Sequence, residues 1–345
     1  MSEITWKLDD MVGSGTSVKK VRLTQLDGTL PNLALMKLSH YHKAKGDEVH
    51  FYKAATKDMF EPDYDIVYGS SIFTFNKDKR DRFLNSFPNA VVGGTGFNNQ
   101  TTVEHLIGSP VYENYDYEIY PDFKHSIGFS QRGCRLRCKF CVVGEKEGKN
   151  THSNWIDEIW RGDPHPKNIL LLDNDFFGQP DWDIKVKQII DSKYKVCFNQ
   201  GINIRLIDDQ AAESLTHIKY YDNDFKIRRL YTAWDNLGDE KIFLKGVNKL
   251  INKGIRPRHL MVYMLIGYKK NETMEDIMYR LNILNDLGCV PYPMVYNNEN
   301  KELKKFQRWV IRHYYKFIDW KDYTTTRSSF HYKDDVQEEM LFAGQ

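Results

Sequence analysis

From about residue 126 to about residue 315 the chain alternates short apolar runs with helix-length amphipathic stretches, and no other feature limits its fold as sharply. The strand-length runs lie at 126–130, 169–173, 195–199, 229–233, 260–266 and 291–296. Helical patterns occupy 182–191, 208–216, 240–253, 273–287 and about 303–315. Near-continuous apolar strands joined by helical crossovers imply a parallel sheet covered on both faces. The punctuation agrees, because Asp208 stands where an N-cap belongs, and Gly254 and Gly288 stand just past helix ends. Six β/α units fall short of a closed eightfold barrel, so the expected shape is a (β/α)6 partial TIM barrel.

The N-terminal third repeats the alternation on a smaller scale. Strands are expected at 21–26, 48–52, 64–71 and 90–94, with a helix at about 32–44. This describes an N-terminal Rossmann-like parallel sheet, whose ligand crevice lies at the carboxyl ends of its strands. Gly93-Gly94-Thr95-Gly96 follows the fourth strand but does not fit G-x-G-x-x-G, so a dinucleotide reading is weak. The fold class is therefore α/β. The expected domains are a Rossmann-like domain at 1–120, the partial barrel at 121–300, and a C-terminal helix and tail at 301–345.

Composition bounds the rest. Of 345 residues, 41% are hydrophobic and 14% aromatic, enough to fill a sizeable core. The net charge of +2 points globally to neither nucleic acid nor membrane. No apolar run is long enough to span a bilayer. Met1-Ser2-Glu3-Ile4-Thr5 lacks the basic start and apolar stretch of a signal peptide, so a cytoplasmic location without a membrane partner is expected. The five cysteines suggest no disulfide framework, and Cys197 and Cys289 lie in apolar runs as small buried hydrophobes.

The remaining three cysteines lie together in Gly133-Cys134-Arg135-Leu136-Arg137-Cys138-Lys139-Phe140-Cys141, at the spacing C-x3-C-x2-C. Soft thiolate ligands select iron–sulfur clusters or zinc. Structural zinc wants a fourth Cys or His at close spacing, and the nearest His on that side is His152. Three ligands leave one metal corner open to a group that is not protein.

At these residues the chain resembles the radical S-adenosyl-L-methionine (SAM) enzymes. Their hallmark is C-x3-C-x-aromatic-C, matched here by Cys134, Cys138, Phe140 and Cys141. The resemblance implies that the three thiolates hold a 4Fe-4S cluster and that SAM chelates the fourth iron. One electron then cleaves SAM to methionine and a 5′-deoxyadenosyl radical, which abstracts hydrogen from a substrate. It also implies an electron donor such as flavodoxin or ferredoxin.

Parallel barrels place their chemistry at the C-terminal ends of the strands, which marks candidate site residues independently of the motif. These ends carry Asp173 and Asp175, then Gln200 and Arg205, then Trp234 and Asp235, then Gly267, and last Tyr296. By the resemblance, the Phe140 backbone, Asp173, Asp175, Gln200, Arg205 and Gly267 lie near SAM. The two aspartates suit its ammonium, and Arg205 suits its carboxylate. Arg132, Arg135, Arg137, Lys139, Lys146 and Lys149 crowd the cysteine loop. They suit an anionic or nucleotide-like substrate, or else pair with Glu145 and Glu147 on a solvated loop. Arg135, Arg137, Trp234, Asp235 and Tyr296 are candidate substrate contacts, and the aromatics Phe176, Phe177, Trp234 and Tyr296 stack a base or belong to the core.

The N-terminal layout resembles the cobalamin-binding-type domain of one branch of the superfamily. Where that branch has D-x-H-x-x-G, this chain reads Asp27-Gly28-Thr29-Leu30-Pro31-Asn32, with Thr in place of the cobalt-ligating His. Cobalamin held without a protein ligand stays open. A domain that kept the fold and dropped the cofactor is the favoured reading. The chain has no cysteine before Cys134, which removes the methylthiotransferase branch and its second cluster. Three outcomes stand: a hydrogen-abstracting radical SAM enzyme, a cobalamin-dependent radical methyltransferase, and a non-catalytic metal-binding or sensing protein. The polar tail ends in an apolar plug at 337–342, expected to fold back on its own domain.

Overall fold

Val21 and Leu23 are fully buried in the first strand, and a parallel sheet extends from that strand in both directions. The structure, a computed structural model, describes residues 17–97, 101–109 and 112–324. The N-terminal residues 1–5 and the plug at 337–342 lie outside the described residues. The chain divides into two compact units, one of Met1–Lys149 with Ser153–Leu170 and one of Asn150–His152 with Leu171–Gln345. No helix among the described residues is long and apolar enough to cross a membrane.

In the first unit, β1 (Lys20–Gln25), α1 (Leu33–Ala44), β2 (Glu48–Tyr52), β3 (Ile66–Ser70), α2 (Lys77–Ser86) and β4 (Val91–Gly93) form a sheet in the order β2-β1-β3-β4. All three pairings are parallel, as a Rossmann-like sheet requires. Asn32 caps α1 by accepting the Leu35 amide at 3.2 Å. The pattern did not predict α2, because its charged sequence buries only Phe83. That one ring is nonetheless specified closely, since a Cβ on Gly69 would come within 2.6 Å of it. The unit continues through α3 (Val103–Ile107), β5 (Ser126–Gly128), β6 (Gln131–Arg132) and α4 (Val143–Lys146). After β7 (Thr151–His152) come α5 (Ile156–Ile159) and β8 (Asn168–Leu171).

The second unit keeps the predicted alternation closely. It runs through α6 (Trp182–Asp191), β9 (Lys195–Phe198), α7 (Asp209–His217), β10 (Lys219–Tyr220), β11 (Leu230–Ala233) and α8 (Glu240–Asn252). It closes with β12 (Leu260–Ile266), α9 (Met274–Asp286), β13 (Val290–Val295) and α10 (Lys301–Ile311). Asp208 caps α7 as expected, accepting the Ala211 amide at 2.7 Å. Every pairing is parallel, yet the strands do not make one ladder. The two-residue β10 pairs with β9, and β11, β12 and β13 form a separate group. β9 meets β11 through its exit loop instead, where Ile202 N–H donates to the Tyr231 carbonyl at 2.8 Å. Gly201 makes that approach feasible, because a Cβ there would sit 2.9 Å from the same oxygen. The observed architecture is thus α/β with parallel sheets.

Candidate metal centre and strand-end site

The cysteine loop is closed at its base by backbone, not by sulfur. Gly133 has φ +81°, and a Cβ there would lie 2.2 Å from the Lys149 carbonyl oxygen. Its N–H donates to Glu147 Oε2 at 3.0 Å, and Cys134 N–H donates to the Gly148 carbonyl at 3.2 Å. Arg132 pairs with the other Glu147 oxygen at 3.1 Å. Inside the loop, Leu136 N–H donates to Cys134 Sγ at 3.4 Å, and Cys141 N–H donates to the Cys138 carbonyl at 3.0 Å. An N–H on sulfur favours the thiolate, the form that ligates metal. Cys134 and Cys138 are half-buried, and Cys141 is exposed. Among the described residues, no three His, Cys, Asp or Glu side chains close on one ion.

Around the loop, Phe140 is half-buried and Arg135 and Arg137 are exposed. Arg132 is committed to Glu147 and to the Phe129 ring 3.9 Å away, so it belongs to the scaffold. From α4, Lys146 Nζ reaches Thr95 Oγ1 at 3.3 Å, which brings the turn after β4 beside the loop. Close by, Phe73 and Phe75 stack at 5.1 Å and 15° while both stay exposed. Sequence reasoning missed this pair, whose signal was two aromatics spaced two apart just past a strand end.

The loop that presents those rings is pinned by Asp27. Its carboxylate accepts from Ser71 Oγ at 3.0 Å, Ile72 N–H at 2.6 Å, Phe73 N–H at 3.2 Å and Asn76 Nδ2 at 3.2 Å. Gln25 Nε2 donates to the carbonyls of Asp27, Gly28 and Leu30, and Asn32 Nδ2 donates to Ser70 Oγ. The stretch that resembles the cobalt-ligating motif spends these polar groups on Gln25, on the last residue of β3 and on the residues that follow it. With Thr29 in the histidine position, these residues do not fit a lower ligand to cobalt.

In the second unit the predicted strand-end residues divide. Asp235 lies within electrostatic reach of Arg205 and Arg280, Arg280 ties Trp234 to Leu265 just ahead of Gly267, and Tyr296 N–H donates to the Ile266 carbonyl. Gln200 is exposed beside Asn199. Asp173 and Asp175 are buried at the end of β8, and Asp175 accepts from Asn150 Nδ2 at 3.3 Å. A Cβ on Gly178 would meet both partners of that bond at 2.1 and 2.2 Å, so a glycine there leaves them room. Arg205 pairs with Asp239 at 3.0 Å. Trp234 corrects the sequence reading: it is 1% exposed, its indole stacks on Phe243 at 4.8 Å, and Nε1 donates to the Asn236 carbonyl. Both ring and N–H are spent in the core, so Trp234 stacks no substrate. Tyr296 is exposed and meets Tyr268 edge-on at 4.9 Å.

A buried clasp that the sequence reading did not find organises this cluster. Arg280, fully buried on α9, donates to the Trp234 carbonyl at 2.8 Å, the Leu265 carbonyl at 3.0 Å and Glu272 Oε1 at 2.5 Å. Glu272 Oε2 accepts the Gly267 N–H at 2.7 Å. Gly267 has φ +76° and a Cβ there would press on Leu303 at 2.5 Å, so its constraint is conformational. The available signal was position 280 itself, which shares the apolar stripe of Ile277, Leu281 and Leu284.

Burial holds the Asp235 carboxyl above its ordinary range, against the pull of Arg205 and Arg280. As pH rises, the unfolded chain gives up this proton before the folded chain does. Asp235 therefore lowers stability above the ordinary carboxylate pKa of about 3.9, and fully so above its raised folded value. Asp235→Asn is expected to melt higher than the wild type at pH 7, with the gap closing towards pH 4. Thermal melts across that range check this, and a lower melting point for the variant at pH 7 would contradict it. No protein-family model matches the chain, and no curated protein is similar to it beyond chance.

Proposed function

We propose that this chain is a radical SAM enzyme acting on an anionic, nucleotide-like substrate. The observation that carries the reading is the C-x3-C-x-Phe-C loop, with its backbone-closed base and an amide donated to Cys134 Sγ. Cys134, Cys138 and Cys141 would hold a 4Fe-4S cluster, and a cytoplasmic flavodoxin or ferredoxin would deliver the electron. With SAM bound, such a cluster supplies the family's hydrogen-abstracting chemistry. The β/α units would act as the family's partial barrel. Asp173 and Asp175 would face the SAM ammonium, Gln200 the ribose and Arg205 the carboxylate. The Gly267 segment and the Phe140 backbone would contact adenine. Arg135 and Arg137 would draw in an anionic substrate, and Phe73 and Phe75 offer a flat apolar surface for a base.

Two other readings are less well supported. A cobalamin-dependent methyltransferase lacks its histidine ligand, and the stretch that would carry it is bonded to Gln25 and Ser71. A non-catalytic metal protein predicts a bound metal without SAM cleavage. Anaerobic reconstitution with iron, sulfide, SAM and dithionite separates these outcomes. The expected result is a cubane absorbance and 5′-deoxyadenosine by mass spectrometry. A reconstituted cluster that never yields 5′-deoxyadenosine, or purified protein that carries zinc, would sink the reading.

A further inference from the structure

The second unit carries a groove of about 670 Å³ along α10 and the segment after it. It is lined by Lys301, Lys304, Lys305 and Arg308 of α10, with Trp320 and Lys321 from the segment that follows, and its one acid is Glu302. Among the described residues none of the four α10 cations has an ion-pair partner, and Lys321 makes only a long contact of 3.9 Å with exposed Asp319. Lys305 Nζ stands 4.7 Å from the Trp320 ring centre, so an aromatic floor lies beneath the charge.

This arrangement opposes helix stability. Residues three and four apart on a helix are neighbours, so 301 with 304 and 305, and 304 and 305 with 308, are like-charge pairs. Three of these cations also stand in the first turns of α10, where the macrodipole favours acids. The opposite face explains the helix but not the charges: Leu303, Phe306, Trp309 and Val310 are buried, and any polar residues would serve at the other positions. A chain with +2 net charge overall has placed five cations here against one acid, Glu302. An anionic ligand relieves both conflicts.

We propose that this groove binds the phosphates of single-stranded nucleic acid. A positive groove with an aromatic floor suits a flexible phosphodiester strand, which presents both repeated charges and flat bases. The site stands on the geometry of α10 and does not depend on a metal centre at the cysteines.

The test is fluorescence anisotropy of a labelled oligouridylate of about 20 nucleotides with the full chain, across about 50–200 mM KCl. Wild-type protein binds, and log affinity falls linearly with log salt. Lys304→Gln/Lys305→Gln/Arg308→Gln binds at least about tenfold more weakly, with a slope shallower by about 2, three lost contacts at about 0.7 each. Lys241→Gln/Lys245→Gln on exposed positions of α8 changes neither quantity. Should the triple variant fail to fold, Lys304→Gln alone lowers the slope by about 0.7. Absence of binding, wild-type binding by the triple variant, or displacement of the RNA by polyglutamate of equal charge overturns the assignment. The last outcome would indicate an acidic protein partner.

Discussion

Serine in place of Cys138 is expected to prevent reconstitution of the proposed cluster and to abolish 5′-deoxyadenosine formation. Iron should fall from about four per chain to below about one, because an alcohol is a poor ligand where a soft thiolate is required. The fold should persist. Glu147 holds the Gly133 N–H and the Gly148 carbonyl holds the Cys134 N–H at the base of the loop, so circular dichroism should match the wild type. Cys197→Ala and Cys289→Ala provide the contrast. Burial pushes both thiols up to about 12, so neither is a thiolate at neutral pH, and iron content should be unchanged in both variants. Iron retained in the Cys138→Ser protein would remove the basis for the proposed function.

The second large effect is on stability. Arg280→Met should destabilise the protein by about 3–5 kcal/mol, as expected when one partner of a buried ion pair is removed. The loss orphans the carbonyls of Trp234 and Leu265 and leaves the nearly buried Glu272 carboxylate without a counter-charge. Glu272→Gln should cost less, since its amide oxygen can still accept the Gly267 N–H. The double variant should be less damaged than the two separate losses added together, because each substitution removes the other's uncompensated charge. Urea unfolding measures all three. An Arg280→Met protein within about 1 kcal/mol of wild type would mean that the clasp contributes little.

Much of this molecule could be read from residue order, for reasons visible in particular elements. The spacing defined β12 outright, and α9 began one residue into its predicted span, with Thr273 as the cap whose hydroxyl accepts the Asp276 amide at 3.2 Å. Such elements pair a clean apolar period with local stop signals. α2 lacked both, since its one buried residue, Phe83, leaves no stripe to detect. β10 spans two residues, too few for any period to show. The cysteine motif was legible because its chemistry lies in local spacing. Arg280 was not, because the groups that satisfy it come from β11, β12 and the loop ahead of α9. Trp234 was misassigned for a related reason: a strand-end position does not disclose whether an aromatic ring turns towards Phe243 or towards solvent.

With four donors converging on the Asp27 carboxylate, the segment that carries Phe73 and Phe75 has already given up its conformational freedom. A planar molecule arriving there meets a surface that need not rearrange, so no ordering penalty is charged to the encounter. Association should then proceed at ordinary collision-limited rates, and differences among ligands should appear in how long each one stays.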